Sequence, residues 1–301
     1  MAIYDAEGNQ LSHAYDADGS ELSYAYDAEG NIVFQSGDQP PTPVGIPLKV
    51  MTYNVGQWYI GNGSYVPSAS DEAYYALHSG ILQRANADVL FINEYSATFS
   101  GAGRTASSVL SPYFPYIETR SGGSNYNGRT ICSKYPISNY TTHSFSTGGI
   151  QYYDSCEITI DGRVITLVIV HFITNPETTR WTQCQEFVSH LKTLNTFIAG
   201  GDYNTGISPD NGTDNTESTV YTKYIKSFLD EGFHSANCSD FGFMVTCNDG
   251  VDGEGTDWDI DNIITSSDIR ITSATVDTAK LTDDISAKID HMPLIATLVI
   301  E

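Results

Sequence analysis

Positive charge is scarce in this chain. Only 14 lysines and arginines stand against 37 aspartates and glutamates in 301 residues, a formal net charge of −23. No basic run exists to grip a polyanion without sequence preference, and the acidic field repels one. Tight metal-free binding to nucleic acid is therefore not expected. A transient substrate held by a few arginines and a divalent cation remains open. Long apolar runs are missing too: none reaches the ~18 residues of a membrane-spanning helix. The opening Met-Ala-Ile-Tyr-Asp-Ala-Glu lacks the basic and apolar regions of a signal peptide. Twenty tyrosines still favour an extracellular or virion-associated protein, which would leave the cell without such a signal or by lysis of a host.

Cysteines are few and odd in number. Cys132, Cys156, Cys184, Cys238 and Cys247 show neither CxxC spacing nor a His/Cys zinc pattern. Cys238 and Cys247 lie close enough for a local disulfide, and buried free thiols are the equal alternative.

What is present is unevenly laid out. Residues 1–47 hold eight acids and no lysine or arginine, which leaves 29 acids and all 14 bases for residues 48–301. Within 1–35 a unit repeats every 11 residues, at Tyr4-Asp5-Ala6-Glu7-Gly8, Tyr15-Asp16-Ala17-Asp18-Gly19 and Tyr26-Asp27-Ala28-Glu29-Gly30. The acidic, glycine-containing segments are turn chemistry. Leu22, Tyr24 and Tyr26 would share one side of a strand. A small N-terminal β-meander with one aromatic face follows. It buries too little to stand alone, so it is expected to cover that face by self-association, by attachment to a particle, or against the rest of the chain. Residues 36–47 form a proline-rich, extended linker.

From residue 48 onward, strands and helices interleave. Strands are expected at Leu48–Val55, Asp88–Asn93, Ile150–Ile160, Val164–His171, Thr196–Gly200, Ile260–Thr265, Ile269–Val276 and Pro293–Ile300. Helices are expected at Asp71–Ala85 (capped by Ser68 or Ser70), Pro176–Leu194 (capped by Asn175) and Glu217–Glu231. The class is mixed α/β. Polar groups gather where strands end: Asn54, Glu94, His171, and Asp202 with Asn204. Asp261 heads one strand, and Asp290-His291 precedes the last. Carboxylates with amides suit Mg²⁺, Mn²⁺ or Ca²⁺ rather than zinc. The glycines before Asp202 would let the backbone approach a ligand. The acidic stretch Asp249–Asp259 is either a structural Ca²⁺ site or a solvated loop.

This ordered series resembles the endonuclease/exonuclease/phosphatase superfamily, which includes deoxyribonuclease I-like enzymes and sphingomyelinases. Arg129–Ile137 (RTICSKYPI) is similar to the family's internal strand, and Arg180 with Gln183 to its R-x-x-Q. The resemblance implies a four-layer α/β/β/α sandwich of two packed sheets flanked by helices, and a metal-dependent phosphodiesterase. It implies Glu94 as principal metal ligand, with Asn54 and Asp290 near the same ion. Asp202 would orient or deprotonate the attacking water, and Asn204 would hold water or phosphate. His291 would contact the scissile phosphate, with Asp261 fixing its tautomer. His171 would be the general acid; AP endonucleases usually carry tyrosine there. The substrate is expected to be nucleic acid, with a phospholipid or inositol phosphate as the rival. Two departures from the pattern are Ile289, where serine is usual, and Tyr203, where phenylalanine or leucine is. Arg129 either reaches substrate phosphate or is a surface arginine. The N-terminal repeats resemble those of phage virion and gut-bacterial modular proteins, so a chiefly attachment role is the alternative of another class.

Overall fold

The computed structural model describes residues 45–58, 71–96, 105–120, 128–147, 152–205, 223–238, 240–241, 244–248, 257–278 and 291–301. It also describes four short strands near the N-terminus. The chain divides into two compact units, Met1–Gly45 and Ile46–Glu301. In the first, Ala14–Tyr15 pairs antiparallel with Glu21–Leu22, and Tyr24–Tyr26 with Ile32–Gln35. Among the described residues these make two hairpins. Each spans one acidic repeat segment. The expected linker lies mostly outside the described residues, and its last two, Ile46 and Pro47, already belong to the first strand of the second unit.

That unit is built on two six-stranded sheets. The first holds β1 (Ile46–Asn54), β2 (Val89–Asn93), β3 (Tyr116–Arg120), β4 (Arg129–Ser133), β11 (Ile269–Val276) and β12 (Leu294–Ile300). Their order is β11-β12-β1-β2-β4-β3, with β1 and β2 parallel. The second holds β5 (Ile137–Ser144), β6 (Tyr152–Ile160), β7 (Arg163–His171), β8 (Phe197–Asp202), β9 (His234–Ser235) and β10 (Asp261–Thr265). Its order is β9-β10-β8-β7-β6-β5, with β7 and β8 parallel.

The strand sequences explain why both faces are buried. In β1, Leu48 and Val50 enter the core between the sheets, while Met51 and Tyr53 face the other way. In β7, Ile165, Leu167 and Ile169 join the same central core, and Val168 and Val170 the outer one. Strands apolar on both faces need a helical cover on the outside. Helix α1 (Asp71–Ala85) supplies it to the first sheet through His78, Ile81, Leu82 and Ala85, one stripe at helical spacing, with the short α2 (Ala106–Leu110) beside it. Helix α3 (Glu177–Leu191) covers the second through Cys184, Phe187, Val188 and Leu191, with Phe228 of the helical segment 223–229. The result is a four-layer α/β/β/α sandwich.

Several expectations shift. The internal strand expected across Arg129–Ile137 is two strands in different sheets, β4 and β5, and Lys134-Tyr135-Pro136 carries the chain across. Proline, with no N–H to donate, suits such a crossover. Helix α3 starts at Glu177: Pro176 is extended (ψ 156°) and outside it, and no side chain caps the end. The expected caps Ser68 and Ser70, and residues 217–222 of the third helix, lie outside the described residues. The two glycines before Asp202 serve packing rather than ligand approach. A Cβ on Gly200 would sit 2.2 Å from the Phe91 ring of the facing sheet, and one on Gly201 (φ +154°) 1.9 Å from the Val170 carbonyl. All five cysteines are buried free thiols, so Cys238 and Cys247 are not bridged. Among the described residues, no helix is long and apolar enough to cross a membrane.

Candidate functional site

Strand register gathers the polar strand ends. Asn54 of β1 lies opposite Asn93 of β2, and His171 of β7 opposite Asp202 of β8, which in turn lies opposite Asp261 of β10. Each pair therefore ends at the same height within its sheet. The sheets are then joined at that height. The Asn93 side chain donates to the Val170 carbonyl at 2.9 Å and accepts from the Asp202 N–H at 3.0 Å. Asn54 Nδ2 crosses the same gap to Asp202 Oδ2 at 3.1 Å and also donates to Glu94 Oε1 at 3.2 Å.

Asp202 is the centre of the cluster. Its Oδ1 accepts from the Asn204 N–H at 2.9 Å. His171 Nε2 stands 3.5 Å and His291 Nε2 3.7 Å from its Oδ2, just beyond hydrogen-bond length. On its far side, His291 shares a 2.7 Å Nδ1···Oδ2 hydrogen bond with Asp261. A carboxylate there fixes the proton on Nδ1 and leaves Nε2 facing Asp202. The segment around Thr246 braces both partners. Its hydroxyl accepts from the Asp261 N–H at 3.0 Å, its carbonyl from the Met292 N–H at 2.6 Å, and Cys247 bridges to His291 through the backbone.

The electrostatics follow from burial. Asp202 is 2% exposed and Asp261 0%, so two carboxylates share a region with little water. Burial first, and then the Asp261 charge, push the Asp202 carboxyl up to about 7 against the pull of His291, Asn54 and the Asn204 N–H. Two site residues also hold left-handed backbone: Glu94 at φ 52° and Asn204 at φ 50°. Such conformations are sparsely populated for these residue types and persist where the surroundings enforce them.

Three of these groups stand close enough together that they could hold a metal ion. Ligand atoms of Asp202, Asp261 and His291 lie within 4.8 Å of one another. The Asp261 Oδ1 atom is buried and accepts no hydrogen bond. Crowded carboxylates that raise one another's pKa are what a 2+ charge relieves. The Asn54 amide is fixed as it stands: its Oδ1 accepts from the Gly56 N–H at 3.0 Å while its Nδ2 faces the two carboxylates.

Seven of the nine expected residues thus come together: Asn54, Glu94, His171, Asp202, Asn204, Asp261 and His291. Asp290, its neighbour Ile289 and residues 249–256 of the acidic loop lie outside the described residues. Arg129 is no surface arginine. It has 0% exposure, and its Nε donates to Asp154 Oδ2 at 2.9 Å. Two residues support the site from behind, and of these only Asn93 had not been singled out. Asn93 is the amide that ties the sheets, and its signal was a polar residue at the end of a strand otherwise entirely apolar. Gln183 of the R-x-x-Q accepts from the Ile173 N–H at 3.0 Å, bracing the chain just past His171. Asn204 completes that brace with 2.9 Å to the Phe172 carbonyl.

Two mixed sheets packed face to face, with acids and imidazoles delivered from strand ends, define a four-layer α/β/β/α sandwich with its polar site at one rim. A profile of the endonuclease/exonuclease/phosphatase family matches residues 63–283, and the chain belongs to that family. An RHS repeat profile matches residues 4–33, the tyrosine-rich repeats. Among solved structures, truncated Caenorhabditis elegans TDP2 aligns with TM-score 0.60 at 16% identity, covering 84% of this chain and 98% of its own. Staphylococcus aureus beta toxin aligns at 0.58 and 21%, covering 83% and 99%. SmcL gives 0.61 and 18%, covering 83% and 98%. At these identities the likeness is one of fold. No curated protein sequence matches the chain.

Proposed function

We propose that residues 46–301 form a divalent-metal-dependent phosphodiesterase that hydrolyses by in-line attack of water, with nucleic acid as substrate. The observation that carries this reading is the Asp202 carboxylate placed between two imidazoles, one of them backed by Asp261. A buried carboxylate in that place can take a proton from an attacking water. His291, oriented by Asp261, faces the non-bridging oxygens of the phosphate. His171, on the other side of Asp202, delivers the proton to the leaving oxygen. The water oxygen bonds to phosphorus as the bond to the leaving oxygen breaks; one proton goes to Asp202 and one comes from His171. Asn204 holds the entering water or a phosphate oxygen. Glu94 and Asn54, with Asp290, would hold the cation, which supplies charge neutralisation on the phosphoryl oxygens.

Hydrolysis of bis-p-nitrophenyl phosphate by the full chain tests the reading. Turnover should require Mg²⁺ or Mn²⁺ and vanish in EDTA. Undiminished turnover in EDTA would refute it.

A further inference from the structure

Outside the cluster around Asp202, another group of buried charges among the described residues lies two strands away. Arg129 of β4 faces Asn93 in register and Arg120 of β3 in the other direction. Arg129 crosses to the second sheet through its ion pair with Asp154 of β6. The carboxylate is otherwise well supplied: Thr142 donates to its Oδ1 at 2.5 Å, and Arg120 Nη1 stands 3.9 Å away. The arginines are not. Both Nη1 and Nη2 of Arg129 are buried with no hydrogen-bond acceptor, as is Nη1 of Arg120, and the buried Tyr140 hydroxyl also has no partner. Arg120 lies over the Tyr152 ring at 3.8 Å and keeps 22% of its side chain exposed.

Leaving polar donors unsatisfied in the interior is costly, and more so when they carry a charge. Two guanidinium groups against one carboxylate also leave a net positive charge inside a strongly acidic protein. One oxyanion would satisfy the free guanidinium nitrogens of Arg129, which a planar fork offers in bidentate geometry. We infer that Arg129, Arg120 and Tyr140 form a second anion site, which takes a non-scissile phosphate of a substrate carrying more than one. Arg120 and the Tyr152 ring it covers are the outer wall, and the exposed part of Arg120 is the way in.

The position suits that use. At the usual strand spacing of about 4.8 Å, Arg129 lies roughly 10 Å from Asn54, or about three nucleotide rises of 3.4 Å. The inference rests on the proposed phosphodiesterase reading and narrows it: a polynucleotide offers a phosphate at that distance, a single-phosphate lipid does not.

The test compares full-length wild type with Arg120→Ala and Arg120→Lys on two substrates, bis-p-nitrophenyl phosphate and a thymidine decanucleotide. The ratio of kcat/KM for the oligonucleotide to that for the small diester should fall about tenfold in Arg120→Ala, mainly through KM, and recover in part in Arg120→Lys. The dependence of log KM on log salt should lose about one unit of slope for the lost phosphate contact. Inorganic phosphate should raise the melting temperature of wild type more than that of Arg120→Ala. An unchanged substrate ratio, or an equal phosphate shift in both proteins, overturns the second site. No turnover of the small diester by wild type would instead sink the phosphodiesterase reading, while the phosphate melts still judge the anion site.

Discussion

His291 and Asp261 are 30 positions apart in the chain and meet through a 2.7 Å hydrogen bond in a buried setting. The bond decides which imidazole nitrogen faces Asp202. Asp261→Asn keeps the shape but offers the amide in either of two orientations, one of which selects the wrong tautomer. We expect kcat to fall by about 10²- to 10⁴-fold with little change in KM, by the logic of a carboxylate that orients a catalytic imidazole. Steady-state kinetics on the small diester decide, and a loss below tenfold would remove Asp261 from that role.

Asp202 should trade stability for function. Its folded-state value, about 7, lies above the ordinary 3.8. The folded protein therefore holds the proton more tightly than the unfolded chain. That stabilisation is complete below pH 4 and is lost as pH rises through 7. In metal-free protein, Asp202→Asn should thus be the more stable form at pH 8, by about 4 kcal/mol, and the gap should close towards pH 4. Activity of the same variant should drop by orders of magnitude. Thermal melts across that range give the answer, and a variant less stable than wild type at pH 8 would contradict it.

His78 gives the opposite slope. Burial holds it at about 4, below its ordinary 6.5, with only the Trp58 carbonyl contact pulling the other way. The neutral form is the one folded, so its contribution is full above pH 6.5 and lost as pH falls towards 4. His78→Gln can keep a donor for that carbonyl, 2.9 Å from the ring nitrogen, without a group that titrates. Its stability should fall less steeply than that of wild type between pH 6.5 and 4, as read by chemical denaturation. Parallel curves would acquit His78.

Gly200→Ala tests the packing of the two sheets. The added methyl would press into the Phe91 ring, whose own burial is worth about 2–3 kcal/mol. Overpacking of this kind costs typically 1–3 kcal/mol. A melting temperature unchanged within a degree would show that the ring moves aside freely.

Removing residues 1–45 should leave turnover of the small diester nearly unchanged and alter self-association or attachment. Light scattering with thermal melts on both lengths tests this. Two monomers, with the shorter one melting lower, would make the repeats an extension of the second unit.

The sequence displayed the parts of this molecule that obey short-range rules. Strands such as Val89–Asn93 are apolar on both faces, and α1 repeats its apolar residues at helical spacing, so both were legible with nearly their final bounds. The polar strand ends were legible for the same reason, because each interrupts an apolar run. What was hidden is set across the fold. That Arg129 would be buried against Asp154 depends on β4 and β6 belonging to different sheets, and nothing local to either strand says so. The splitting of Arg129–Ile137 into two strands was hidden likewise. Gly200 and Gly201 were seen, but a glycine fits close approach of any neighbour, and the neighbour here is Phe91 and the strand beside it rather than a ligand.

The Asn93 amide reaches from one sheet to the other, holding Val170 with its nitrogen and the Asp202 N–H with its oxygen. The half-sites it joins belong to separate layers: Asn54 and Glu94 travel with one, His171, Asp202 and Asp261 with the other. Alignment of the reacting groups is therefore a measure of how well the layers are seated. Warming or mild denaturant that lets the layers slide by an ångström would silence the enzyme while every strand is still paired, and activity would report loosening of the sandwich before any melting signal.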